Sequence, residues 1–288
     1  MPERSYLVGL IGAGIGTSLS PALHEREAAR HRLTYAYRIL DLDRLGLAAE
    51  AVGDLLRRAR DLGYHGLNIT HPCKQLVIEH LDALSPDAAT LRAVNTVVFT
   101  DRGAVGHNTD LTGFTESFAR GLPDAPTRHV VQLGAGGAGA ATAHALLTLG
   151  AHHLTVVDAE HARATALARA LTTRFGPGRA TAAALPEAGE RLRDADGLVH
   201  ATPTGMARHP GLPLPEHLLR PALWVADIVY RPLRTPLLRA AERLGCRTLH
   251  GGGMAVFQAA EAFRLFTGRE PHGDHMLADL TDLVGTTT

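Results

Sequence analysis

Two groups of residues in this chain are placed to do chemistry. The first is a polar series in the N-terminal half. Ser18 and Ser20 frame TSLSP, Asn68 and Thr70 close one apolar run, and Lys74 follows His71-Pro72. Asn95 and Thr96 open another run, and Asn108, Thr109 and Asp110 precede a helical segment. The second group is the glycine-rich GAGGAG at 134–139, set between the apolar VVQL and a small-residue segment, Ala140 to Leu149. A lysine can move a proton, a carboxylate can orient it, and hydroxyl and amide side chains can hold the oxygens of a ligand.

Each member of the polar series also has a purely structural reading. Ser20 before Pro21 fits a helix cap with proline at the first helical position. Thr70 could cap a short helix after Pro72, and Asp110 could cap a helix over 111–120. Lys74 could be a solvated charge, and Asn95 could satisfy buried backbone groups.

The glycine stretch is more specific because its surroundings fit. Gly134, Gly136 and Gly139 give the spacing GxGxxG directly after a strand and at the start of a helix, and a second strand ends in Asp158. The first glycine permits a tight turn, the second lets backbone approach a pyrophosphate, and the third allows close helix–strand packing. Free N–H groups at the helix start then face the phosphates. Asp158, 19 residues beyond Gly139, suits the adenosine ribose hydroxyls and opposes a 2′-phosphate, which favours NAD over NADP. It could equally cap the next helix. Arg163 could reach a 2′-phosphate, or be a solvated helix residue. Beside a dinucleotide site, the polar series points to a pocket for a polyhydroxylated ligand. Gly12, Gly14 and Gly16 have the spacing GxGxG with no helix directly after them, so they are expected in a loop close to a ligand or another strand.

Alternating elements must position these groups. Strands are expected at 6–11, 34–40, 65–70, 95–100, 129–133, 153–158, 197–201, 224–229 and 247–250. Helices are expected at 44–62, 111–120, 137–150, 160–174, 235–245, 254–267 and about 274–284. Strands alternating with helices predict an α/β fold with parallel sheets. At 288 residues, two domains are expected. The Gly/Pro-rich 121–128 and the run Gly251-Gly252-Gly253 mark crossings. The division is 1–110 plus 254–288 against a dinucleotide-binding Rossmann domain at 111–253, with the last helices returning to the first domain and the Thr-rich tail 286–288 frayed.

Composition narrows the partners. Lys plus Arg and Asp plus Glu both number 29, so there is no basic excess to favour nucleic acid or a membrane surface. No signal-peptide layout or membrane-length apolar run is present, and a cytoplasmic protein is expected. Cys73 and Cys246 form no CxxC pair and are expected as reduced thiols. The 17 histidines show no HExxH or Cys/His ligand spacing, so no metal is expected. The expected partners are small molecules, with a homodimer as one assembly open to the chain.

GTSLSP at 16–21, GLNITHPCK at 66–74, AVNTV at 93–97, GHNTD at 106–110, GAGGAG, ATPTGM at 201–206 and GGGMAVFQAAEAFRLFTG at 251–268 occur in the order found in the shikimate/quinate dehydrogenase family, which the chain resembles from about residue 5 to 270. The resemblance implies a mainly parallel-sheet substrate domain followed by a Rossmann domain. It implies Ser18 and Ser20 as the holders of a substrate carboxylate, Lys74 and Asp110 as the catalytic pair, and Thr70, Asn95 and Gln258 as ligands of ring hydroxyls. Gly134, Gly136, Gly137, Ala138 and Gly139 match the cofactor phosphate loop, and Thr202 and Met206, with Asp158, complete the implied cofactor contacts. His200 stands where the family commonly has asparagine and has no assigned role. Asp158 falls where NADP-using members carry an arginine-bearing segment, which resembles the NAD-linked quinate/shikimate branch. Retention of Ser20 leans toward shikimate. The expected reaction is NAD-dependent oxidation of shikimate to 3-dehydroshikimate and of quinate to 3-dehydroquinate. An aminoshikimate or other cyclitol dehydrogenase, or an NAD-binding sensor without turnover, are the alternatives.

Overall fold

The computed structural model describes residues 5–285; the tail expected to fray, 286–288, lies outside them. The chain forms two units, Met1–Thr112 with Val256–Thr288, and Gly113–Ala255.

In the first unit the elements run β1 (Ser5–Gly12), α1 (Ser20–Arg30), β2 (Thr34–Asp41), α2 (Leu42–Leu45), α3 (Val52–Asp61), β3 (Gly66–Ile69), β4 (Ala83–Leu84), α4 (Pro86–Leu91), β5 (Thr96–Thr100) and β6 (Gly103–His107). Helix α5 (Thr109–Gly121) leads across the boundary, and α10 (Gly252–Thr267) returns, followed by α11 (Gly273–Gly285). The sheet order is β2-β1-β3-β5-β6-β4. Strand β1 pairs parallel with β2 and β3, and β4 pairs parallel with β6. Only β5 is reversed, antiparallel to β3 and to β6. The nearly continuous apolar run of β1 is what a central strand covered on both faces requires. Val8 and Leu10 pack with Tyr37, Ala262 and Phe266, while Ile11 packs with Leu56, Leu67, Ile69 and Val97.

Two expectations are corrected here. The helix expected at 44–62 is broken into α2, a 3₁₀ turn at Ala49–Ala51 and α3. Gly46, at φ +65°, ends α2 in the left-handed conformation, which a helix cannot continue through. Strands β4, β6 and β9 (Ala180–Ala184) were not foreseen.

In the second unit, β7 (His129–Leu133), α6 (Gly137–Thr148), β8 (His153–Asp158), α7 (His161–Phe175), β9, α8 (Ala188–Leu192), β10 (Gly197–His200), β11 (Trp224–Asp227), α9 (Pro236–Arg243) and β12 (Thr248–His250) follow. All pairings are parallel, in the order β12-β11-β10-β7-β8-β9. This is the doubly wound dinucleotide-binding order, whose switch point falls between β7 and β10. Val131, Leu133, Leu198, Val225, Leu237 and Leu238 are central to its core. Both cysteines are free and buried. Among the described residues no helix is long and apolar enough to cross a membrane.

Candidate active site

The reversal of β5 gathers the first unit's polar residues at one sheet end. The C-terminal ends of β1, β3 and β6 lie there, and so does the start of β5. Asn68 is in register with Thr96, and Thr96 with His107. Ser18 and Ser20 follow β1, Thr70 and Lys74 follow β3, Asn95 immediately precedes β5, and Asn108 to Asp110 follow β6.

Lys74 Nζ donates to Asp110 Oδ2 at 2.5 Å, with Lys74 20% and Asp110 9% exposed at the side chain. The other carboxylate oxygen accepts from Asn95 Nδ2 at 2.9 Å. Asn95 also donates to Thr109 Oγ1 and accepts the Thr109 backbone N–H at 2.7 Å. Thr109 Oγ1 donates to Gln258 Oε1 at 3.5 Å. Lys74, Asp110, Asn95 and Gln258 therefore belong to one hydrogen-bonded network. The backbone holds Lys74 as well, since its carbonyl accepts from Val94 N at 2.8 Å.

Some local expectations change. Asn108, not Asp110, caps α5: its Oδ1 accepts from Asp110 N at 3.1 Å and from Leu111 N at 3.4 Å. That leaves the Asp110 carboxylate for Lys74. Ser20 does not cap α1 but begins it. Ser18 Oγ accepts from Ser20 N at 3.3 Å and donates to Ser20 Oγ at 3.2 Å, so the two hydroxyls form a separate, half-buried pair. Thr70 extends β3 through its N–H to the Ile11 carbonyl, at 2.9 Å, and its side chain caps no helix. Asn95 does satisfy a buried backbone group, and it holds Asp110 besides.

Gly12 closes β1 instead of lying in the expected loop, but the expected close approach is there. A Cβ there would lie 2.3 Å from Thr70 Cγ2 and 3.0 Å from the His71 carbonyl. Gly14 and Ile15 donate their N–H groups to the Asp41 carboxylate at 3.0 and 3.1 Å. Asp41 was missed in the sequence, as was Tyr37, whose hydroxyl donates to Asn68 Oδ1 at 2.8 Å. Asp41 signals itself only as a carboxylate closing β2, and Tyr37, in the middle of that strand, carries no signal beyond its hydroxyl.

In the second unit, Gly134 has φ +104°, and a Cβ on it would meet the Ala201 carbonyl at 2.4 Å. A Cβ on Gly139 would meet the Gly134 carbonyl at 2.3 Å, whereas one on Gly136 would meet nothing within 4 Å. The open space at Gly136 fits the approach of a pyrophosphate, and the tight contacts at Gly134 and Gly139 hold the turn. No side chain caps the start of α6, so the N–H groups at Gly137, Ala138 and Gly139 suit an anion. Gln132, unforeseen, braces the loop from inside: its Nε2 donates to the carbonyls of Gly134 at 2.9 Å and Gly139 at 2.7 Å, and Thr142 donates to its Oε1.

Asp158 is not a cap for α7, whose N-cap position is Glu160. Its Oδ2 instead accepts the Ala135 N–H at 2.8 Å, and its Oδ1 accepts the Glu160 N–H at 2.9 Å. Arg163 is paired with Glu160 at 2.9 Å on the exposed helix face.

His200 gains a setting that the sequence did not disclose. It is fully buried, with Nδ1 2.9 Å from Asp227 Oδ1 and Nε2 2.5 Å from Thr202 Oγ1. Asp227 Oδ2 accepts from Thr235 Oγ1 at 2.7 Å. An ionised carboxylate only accepts, so Nδ1–H is the donor. Thr202 sits beyond β10 next to the glycine loop, since Ala201 N donates to the Leu133 carbonyl at 2.7 Å. Met206 lies further along the same segment, exposed.

A doubly wound unit with this loop, joined in one chain to a unit bearing a lysine–carboxylate pair among hydroxyl and amide side chains, defines the class: an oxidoreductase that uses a nicotinamide dinucleotide. Comparison with known proteins narrows it. The family model for the shikimate dehydrogenase substrate binding domain matches residues 10–97. A Streptomyces avermitilis protein named shikimate dehydrogenase (NADP(+)) is 70% identical over 286 residues, 99% of this chain and 98% of the relative. A Corynebacterium efficiens protein named quinate/shikimate dehydrogenase (NAD(+)) is 46% identical, covering 98% of this chain and 100% of the relative. The solved structure of quinate dehydrogenase from Corynebacterium glutamicum in complex with NAD superposes with a TM-score of 0.91 at 44% identity, covering 96% of this chain and 99% of that one. The chain belongs to the shikimate dehydrogenase family.

Proposed function

We propose that this chain is a cytoplasmic enzyme that oxidises shikimate to 3-dehydroshikimate, and quinate to 3-dehydroquinate, with NAD preferred over NADP. The observation that carries the reaction is the Lys74–Asp110 pair, 2.5 Å apart at the polar end of the first sheet. In this reading the substrate domain comprises 1–110 with 254–288, and the NAD domain 111–253.

The substrate carboxylate binds Ser18 and Ser20. The ring hydroxyls bind Thr70 and Gln258, and Asn95 acts on them chiefly through Asp110 and Thr109, to which its amide is committed. Lys74 Nζ, entering the oxidation as the neutral amine and still donating an N–H to Asp110, takes the hydroxyl proton as the carbon becomes a carbonyl, leaves as the ammonium, and returns the proton in the reverse direction. Asp110 fixes Nζ and contributes a hydroxyl ligand. A nicotinamide dinucleotide, when bound, would supply the hydride acceptor. Gly134 to Gly139 hold its pyrophosphate, and Thr202 and Met206 complete the cofactor contacts.

The preference for NAD rests on Asp158. Its carboxylate is anchored at the end of β8 by two backbone N–H groups, where it favours ribose hydroxyls and repels a 2′-phosphate. The names of the relatives divide, NADP(+) in Streptomyces avermitilis and NAD(+) in Corynebacterium efficiens; the carboxylate supports the second. Initial rates with shikimate and quinate, each paired with NAD and NADP, test the reading. Shikimate with NAD should turn over fastest. Faster turnover with NADP would overturn the cofactor assignment, and oxidation of neither acid would overturn the substrate.

A further inference from the structure

Outside the site just described, the first unit carries a group of side chains that the reaction does not use. Glu27 lies in the last turn of α1, His31 is the residue that caps its C-terminal end, and His272 stands just before α11. Among the described residues, one ligand atom from each comes within 4.8 Å of the other two. We propose that Glu27, His31 and His272 form a binding site for a divalent transition-metal ion of the zinc type.

The atoms are Glu27 Oε1, His31 Nε2 and His272 Nδ1. The two nitrogens stand 3.0 and 2.8 Å from the oxygen. Tetrahedral zinc with ligand bonds of about 2.0–2.1 Å separates its ligands by about 3.3 Å, so these two edges need to open by only a few tenths of an ångström. Two imidazoles and one carboxylate are a donor set suited to zinc.

The oxygen is oversubscribed as it stands. Oε1 also accepts the His272 backbone N–H at 2.7 Å, which makes three nitrogen neighbours for two lone pairs. A cation relieves this. Each imidazole then presents its lone pair and keeps its proton on the other ring nitrogen. The second oxygen is already held: Arg30 Nη1 donates to Oε2 at 2.9 Å, and Arg30 Nη2 donates to Asp279 Oδ2 at 2.6 Å. Orientation of a ligating carboxylate by an outer hydrogen bond is typical of metal centres. Burial raises the Glu27 carboxyl, but its bonds to His272, Arg30 and His31 outweigh this and hold it below its ordinary value, ready as an anionic ligand.

Access is graded. The Glu27 side chain is fully buried, His31 is 16% exposed and His272 is 50% exposed. The ion would enter from the His272 side and keep a water there as fourth ligand. No HExxH-like spacing announces the site, because the third ligand comes from the far end of the chain. A bound ion would tie α1 to the start of α11.

The test is calorimetric titration of the chelator-treated full-length protein with zinc chloride, beside thermal unfolding with and without zinc. The wild type should bind one zinc ion per chain and unfold at a higher temperature with it. His272→Ala and His31→Gln should each bind more than about a hundredfold more weakly, since even outer partners of a metal cost about 10–100-fold. Both variants should lose the thermal shift while keeping the wild-type circular dichroism and shikimate oxidation without added zinc. His272 is half exposed, so its variant keeps the reading testable if His31→Gln unfolds. Absence of saturable binding to the wild type, or equal binding and thermal shift in folded variants, would overturn the site.

Discussion

The Asp158 carboxylate accepts the Ala135 backbone N–H at 2.8 Å, joining the end of β8 to the glycine loop that follows β7. The side chain that faces the adenosine ribose in the proposed complex therefore also shapes the phosphate loop. Asp158→Asn keeps an acceptor for Ala135 but removes the charge. The ratio of kcat/KM for NAD to that for NADP should fall by about tenfold or more, the like-charge penalty being up to several kcal/mol. An unchanged ratio would remove Asp158 from cofactor selection.

Lys74 Nζ stands 2.5 Å from Asp110 and supplies the amine of that network. Lys74→Ala should lower kcat by roughly 10²–10⁴-fold, the usual range for a general acid–base group. Asp110→Asn should also lower kcat, because Nζ loses its charged anchor. Steady-state kinetics with shikimate check both, and normal turnover in Lys74→Ala would dismiss the proton role.

Gly197 lies beneath Trp224, the chain's single tryptophan. A Cβ added there would fall 1.9 Å from Trp224 Cε2, and that indole is pinned by its bond from Nε1 to the Pro126 carbonyl at 2.8 Å. Gly197→Ala should destabilise the second unit by about 1–3 kcal/mol through overpacking. Intrinsic fluorescence reports the displaced indole directly, and urea titration gives the loss. Wild-type fluorescence and midpoint would show that the added methyl group is accepted without displacing the indole.

His24 is buried against Tyr37, Phe263 and Phe266, with Nδ1 3.0 Å from the Tyr35 hydroxyl. Burial pushes its pKa down to about 3, against a smaller upward pull from Glu27. The unfolded chain protonates this imidazole near its ordinary 6.5, while the folded chain resists. The stability that neutral His24 represents is whole above about pH 6.5 and is lost as pH falls toward 3, at up to about 1.4 kcal/mol per pH unit. Burial likewise lowers His107, His129 and His250, which adds in the same direction. Urea unfolding of wild type and His24→Gln at about pH 7.5 and about pH 5 should show a smaller acid loss in the variant. Equal losses would place the acid sensitivity elsewhere.

His200 and Asp227 are both fully buried and bonded to each other. His200→Ala leaves the carboxylate with Thr235 and the Val229 N–H but short of one charge-assisted partner. A loss of about 1–3 kcal/mol is expected, with a raised KM for the dinucleotide because Thr202 loses its neighbour. His200→Asn should restore part of both.

The sequence was most legible where local and long-range demands agree. The strand VVQL, the glycine turn and Asp158 are local cues, and all three recur in the structure. Strands β6 and β9 were opaque because GAVGH and ATAAA are small-residue runs without the β-branched and aromatic character that marks a strand. Asp227 and Thr235 could not be joined to His200 on paper, because parallel pairing of β10 with β11 alone brings these distant residues together. The caps were misplaced for a related reason. Asn108, Thr109 and Asp110 are all competent helix starters, and only the hydrogen bonds of Asn95 decide which one serves.

The first unit is assembled from two separated stretches of chain. The Tyr6 hydroxyl donates to the Thr267 carbonyl, 261 positions away, and Phe266 packs with Val8 and Leu10 from the opening strand. The intervening Gly113–Ala255 is continuous. On the ribosome, where domains form as they emerge, the dinucleotide unit can therefore mature first, while the opening strands wait for the closing helices. Chaperone capture of nascent chains should be greatest in that interval.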